Sequence, residues 1–148
     1  MKQASDITFV APCGIHCRDC LAYRAKDDPA IMQDLISRGI RRELLPCSGC
    51  RPLRGNCKFV TGTCETYACI DTRGFEFCFE CSEFPCAKLN PSADRANTLP
   101  HNMKVFNLCC IERQGLDKWL EKLPEITQKY YHGKMAIGKG PQLDSPHT

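Results

Sequence analysis

The 148-residue chain lacks what would place it in a membrane, a secretory route or a familiar catalytic class. No run approaches the roughly 18 apolar residues that a membrane span requires. The opening MKQASDITFVAP offers one lysine and then only the short stretch Ile7 to Ala11, with Thr8 inside it; a secretory signal needs an apolar stretch of roughly 7–15 residues. These absences predict a cytoplasmic protein with reduced thiols and no membrane partner. There is no G-x-S-x-G, phosphate loop or H-E-x-x-H, and no H-x-E ahead of a P-C-x2-C as in zinc deaminases, Phe84-Pro85-Cys86 being only a fragment of the last. Aliphatic side chains are scarce from 46 to 86, where Val60 and Ile70 are all that follow Leu53. A chain of this size buries about 68–70% of its unfolded surface, but this stretch has little of its own to bury.

What it has is sulfur. Thirteen cysteines run Cys13-x3-Cys17-x2-Cys20, Cys47-x2-Cys50, Cys57, Cys64-x4-Cys69, Cys78-x2-Cys81-x4-Cys86 and Cys109-Cys110. Two residues between thiolates let one turn present both sulfurs to a tetrahedral ion, so three copies of C-x2-C are a strong metal signal. A disulfide framework needs an oxidising compartment and usually an even count, and neither is expected here. Zinc therefore replaces the missing apolar core, its binding energy coupled to folding.

The clusters differ in what they offer. Cys13, Cys17 and Cys20 have the spacing of three ligands of a [4Fe–4S] cluster in radical S-adenosylmethionine enzymes, but Asp19 stands where an aromatic is usual and the chain is short for that barrel. A three-cysteine zinc site completed by a distant ligand, with His101 favoured over His16, is the first expectation, and an iron–sulfur cluster the alternative. Cys47-Ser-Gly-Cys50 and Cys78-Phe-Glu-Cys81 read as knuckles whose amides point at the sulfurs. Pairing them on one ion leaves Cys57, Cys64, Cys69 and Cys86 for another. Cys109 and Cys110, about 100° apart on a helix, are poor joint ligands and read as small core residues.

Charge argues against a nucleic-acid partner. Arg38, Arg41, Arg42, Arg51, Arg54 and Lys58 crowd the second cluster, and the formal net charge is +3, yet each four-thiolate zinc site carries a net −2. Two such sites take the chain to −1 and three to −3, so attraction to phosphate is not favoured. The partner expected is an unidentified protein or small-molecule ligand.

Punctuation predicts the secondary structure. Asp28-Pro29 reads as an N-cap and first helical residue, opening an amphipathic helix through Ile31, Leu35, Ile36, Ile40 and Leu44 to Pro46. A short helix follows Cys20. Phe75, Phe77 and Phe79 alternate as a strand would. One helix ends at Gly115 and another carries Leu116, Trp119, Leu120 and Leu123, with Pro124 as a break.

Cys13-Gly14-x2-Cys17-x2-Cys20, Cys47-x-Gly49-Cys50, Cys64-x4-Cys69 and Cys78-x2-Cys81-x2-Phe84-Pro85-Cys86 together resemble the DUF3795 family of short cysteine-rich prokaryotic proteins, over roughly residues 10 to 90. The resemblance implies zinc binding and no established activity. The expectation is thus one α+β domain over 1–148, its cysteine-rich region at 10–90 held by two to three zinc ions in knuckle loops, with helices at both ends and a helical C-terminal extension at 100–132. The metal ligands expected are Cys13, Cys17, Cys20, Cys47, Cys50, Cys57, Cys64, Cys69, Cys78, Cys81, Cys86 and His101. A zinc-stabilised binding or adaptor module leads; an iron–sulfur or thiol redox protein using Cys13, Cys17 and Cys20, and a metalloenzyme with an open zinc site, are the alternatives.

Overall fold

The computed structural model describes residues 5–59, 62–89, 103–136 and 140–142. Its helices are α1 (Ser5–Thr8), α2 (Leu21–Arg24), α3 (Pro29–Ser37), α4 (Glu65–Arg73), α5 (Lys104–Gln114) and α6 (Leu116–His132), joined by turns and single 3-10 turns. The fold is helical, which corrects the α+β expectation. Among the described residues no strand or sheet forms in the cysteine-rich region. Ladder pairing is confined to a three-residue antiparallel ribbon, Lys134–Ala136 against Gly140–Gln142, beyond the last helix. No helix is long and apolar enough to cross a membrane among the described residues.

The correction has a local cause at the phenylalanines. Glu80 folds its carboxylate back to accept the amides of Glu76 (2.6 Å) and Phe77 (3.1 Å), donors that a strand would give to a neighbour. The chain coils into a 3-10 turn at Cys78–Glu80, and the Phe77 and Phe79 rings stack 5.4 Å apart. Arg51 secures this turn: its Nε donates to the Val10 carbonyl and its Nη2 to the Glu76 carbonyl, both at 2.8 Å.

The chain divides into two compact units, 1–109 and 110–148. In the first, Asp28 caps α3 by accepting the amides of Ala30 (2.9 Å) and Ile31 (3.4 Å), with Pro29 following it. The helix stops at Ser37, short of the expected Leu44, because Gly39 turns the chain at φ +91°; Arg42–Leu44 is a separate 3-10 turn. Leu35, Ile40, Leu45, Ala22 and Ala25 form a small aliphatic core, and Cys20 and Cys47 pack against it. Replacing Leu35 by alanine there costs about 2–5 kcal/mol.

Further along, α4 ends at Gly74 in the left-handed region (φ +71°). The first cysteine loop is closed by backbone bonds from Ala11 to Ile15 (2.8 Å) and from Cys17 to Phe9 (2.7 Å). The wholly buried Asn107 of α5 donates to the Gly14 carbonyl at 2.8 Å. In the second unit Gly115 opens α6, whose Trp119 and Leu123 are buried and whose Pro124 lies inside the helix rather than breaking it.

Two glycines give a testable contrast. Gly14 and Gly39 both have positive φ, but a Cβ on Gly14 would sit 2.8 Å from the Lys104 carbonyl oxygen, whereas one on Gly39 meets nothing within 4 Å. Gly39→Ala is expected to cost about 1–2 kcal/mol from backbone conformation alone, and Gly14→Ala about 1–3 kcal/mol more from overpacking. Denaturant unfolding of the two variants measures the difference.

Candidate metal centre

The aliphatic core positions one set of sulfurs. Cys47 donates its amide to the Ala22 carbonyl at 2.9 Å, which draws the second knuckle against the segment that carries Cys20. Gly49, in the left-handed region, leaves only 3.5 Å between its Cβ direction and the Cys17 sulfur, and the Cys50 amide donates to that sulfur. Cys17 thus has Cys20, Cys47 and Cys50 as neighbours. Burial pushes the Cys17 thiol up to about 11, with neighbouring Cys20 and Cys47 adding to the shift and the Cys50 amide opposing it. Burial raises Cys50 and Cys20 as well, and Cys57 lies near enough to add to both.

A second set lines a half-open cavity of about 260 Å³: Cys69 from α4, Cys78 and Cys81 at the ends of their 3-10 turn, and Cys86. Burial, then the charges of neighbouring Cys13, Cys86, Cys69 and Cys81, push Cys78 up to about 12. Cations stand on two of these sulfurs. Arg73 Nη1 donates to Cys81 Sγ at 2.8 Å and its Nη2 to Glu83 at 2.6 Å; Lys88 Nζ donates to Cys69 Sγ at 3.4 Å. The Arg73 guanidinium holds the Glu83 carboxyl below its usual range, and the Cys69 sulfur holds Lys88 above its own.

Backbone amides recur at the sulfurs. Gly49 donates to Cys47 and Glu83 to Cys81, both at 3.4 Å, and Ile15 to Cys13 and Ala22 to Cys20. In each pair the donor lies two residues after the cysteine, the turn geometry expected of the knuckles. These bonds and the two cations favour a metal-bound thiolate.

The grouping differs from the expected one. Cys47 and Cys50 lie near Cys17, and Cys47 near Cys20, while Cys78 and Cys81 line one cavity with Cys69 and Cys86. Cys13 is deeply buried and stands between the sets: it influences Cys17, Cys50 and Cys78, while its own thiol is raised by burial, with Lys104 opposing and Cys64 adding. Cys57 and Cys64 are joined through Gly55, whose carbonyl accepts both their amides at 2.8 Å. His16 is a buried partner of Asp19, Nδ1 to Oδ2 3.0 Å. His101 lies outside the described residues, and Cys109 and Cys110 are half-buried on α5. Among the described residues no disulfide joins any of the cysteines.

Among the described residues, no three His, Cys, Asp or Glu side chains are already drawn together as a set that could hold an ion. Zinc–sulfur bonds of about 2.3 Å therefore require the side chains to close in by rotation. The donor chemistry fits the metal: four thiols in each set, amides on their sulfurs, and cations beside the more exposed set. Arg73 and Lys88 were missed in the sequence, although Arg73 follows Cys69 by one helical turn and Lys88 follows Cys86 by two residues.

Burial raises the thiols of Cys17, Cys50 and Cys78, so an ion bound there would displace their protons. Binding at pH 7 is expected to release about four protons per zinc. Titration calorimetry in buffers of different ionisation enthalpy measures the number; release near zero would show that the ligands are not these thiols.

Comparison with curated proteins and with solved structures gave no match. The family model for a protein of unknown function, DUF3795, matches residues 9–91. That span is more than half of the chain and takes in both sulfur sets, so the chain belongs to the DUF3795 family.

Proposed function

We propose that this chain is a zinc-binding module in which Cys17, Cys20, Cys47 and Cys50 hold one ion and Cys69, Cys78, Cys81 and Cys86 a second, and that the metal-stabilised surface serves a cytoplasmic binding or adaptor role toward a protein or small-molecule ligand. What supports the reading is that Cys17 has Cys20, Cys47 and Cys50 as neighbours, and that Cys69, Cys78, Cys81 and Cys86 line one cavity. Four thiolates are the usual donor set of a closed structural zinc site. Each loaded site carries a net −2, and Arg73 and Lys88 stand where the second set's charge would develop. Zinc would supply the cross-links between loops whose own apolar side chains are few.

Metal analysis after anaerobic purification tests this. The expected result is a colourless protein with two zinc ions per chain that unfolds on chelation. Cys20→Ser and Cys50→Ser should each remove the same equivalent, and the double variant no more than either alone. Cys78→Ser and Cys81→Ser should share the other equivalent, and Cys109→Ala should remove none. A brown protein containing iron would overturn the zinc assignment. Less than one equivalent of any metal, with a cooperative melt indifferent to EDTA, would overturn the metal reading itself.

A further inference from the structure

The two sulfur sets are built differently. Cys17 is 5% exposed, Cys20 and Cys47 lie on the aliphatic core, and Gly49 closes over the Cys17 sulfur. Cys20, Cys47 and Cys50 are half-buried, as are Cys69 and Cys81, and Cys78 is buried like Cys17. The difference lies at Cys86, which is exposed, and in the cavity of about 260 Å³ that lies directly against the sulfurs of the second set. One wall of that cavity is the short segment after Phe84, tied to α4 by the bond from Thr66 Oγ1 to the Lys88 carbonyl at 2.8 Å.

We propose that the Cys69, Cys78, Cys81 and Cys86 pocket is a metal-exchange site, through which zinc passes to and from an external donor ligand, while the Cys17, Cys20, Cys47 and Cys50 site is structural. The inference rests on the two-site zinc reading. Exchange is a ligand substitution with no change of oxidation state. Cys69, Cys78, Cys81 and Cys86 would hold the ion, and an incoming donor would replace the exposed Cys86 thiolate, which would take up the proton that the donor gives up. Arg73 and Lys88 are already placed on the sulfurs of Cys81 and Cys69, so they balance thiolate charge as coordination is lost and offer an electropositive approach to an anionic donor.

The experiment follows zinc release from the fully loaded chain to excess 4-(2-pyridylazo)resorcinol by stopped-flow absorbance, with stability read in parallel. Release is expected in two equal phases about a hundredfold apart, equivalent to about 2.8 kcal/mol between the two opening steps. Cys86→Ser should abolish or further accelerate the fast phase, leaving the slow phase unchanged. Release of both ions in one phase, or a fast phase intact in Cys86→Ser, would overturn the exchange assignment while leaving the two-site reading in place. A chain that never holds two zinc equivalents defeats both, and metal analysis before mixing separates the cases.

Discussion

Burying sulfur is the constraint on which this fold depends. A thiol can be buried as a small neutral hydrophobe, but a thiolate cannot be buried without compensation. Burial of Cys17, Cys50 and Cys78 disfavours their charged forms. A divalent ion reverses that preference, since its charge replaces the lost solvation. The polypeptide supplies the remainder through amides two residues beyond Cys13, Cys20, Cys47 and Cys81. Each such turn ties a sulfur's position to its local backbone.

The scaffold around the sulfurs is modest and specific. The aliphatic cluster of Leu35, Ile40 and Leu45 joins α2 to α3 and places Cys20 beside Cys47. Arg51 links the first cysteine loop to the segment before Cys78 by two backbone carbonyls, and Asn107 reaches from α5 to the Gly14 carbonyl. Each of these long-range ties ends within three residues of a cysteine in the sequence. Polar side chains thus make connections that a larger apolar core would otherwise make. Leaving a buried donor unmade costs about 1–3 kcal/mol, so the ties select this arrangement of loops as well as stabilising it.

The sets differ in what surrounds them. The first is enclosed by aliphatic side chains and by a glycine whose missing Cβ allows the close approach. The second is bordered by Arg73, Lys88 and Glu83, all at the surface, beside a cavity. Each set holds one buried cysteine, Cys17 or Cys78, and the second adds the exposed Cys86.

The local turns were legible in the sequence, because spacing alone dictates them: the C-x2-C knuckles, the Asp28-Pro29 helix start and the glycine stop at Gly115. Family membership was legible in the same motifs. The α4 helix was not, since only Thr66 and Ile70 are buried on it and nine residues give too short an apolar period. Alternation at Phe75, Phe77 and Phe79 suggested a strand, but the Glu80 carboxylate captured the amides that would have paired. Which cysteines belong together was decided by tertiary structure. All C-x2-C turns look alike in sequence, and it is the packing of Cys20 and Cys47 on one core, with the approach of α4 to the last cysteines, that sets which of them are neighbours. The sequence by itself determined that the centre is rich in sulfur and poor in aliphatic side chains; the tertiary structure decided which sulfurs lie near one another, because proximity depends on contacts between distant segments.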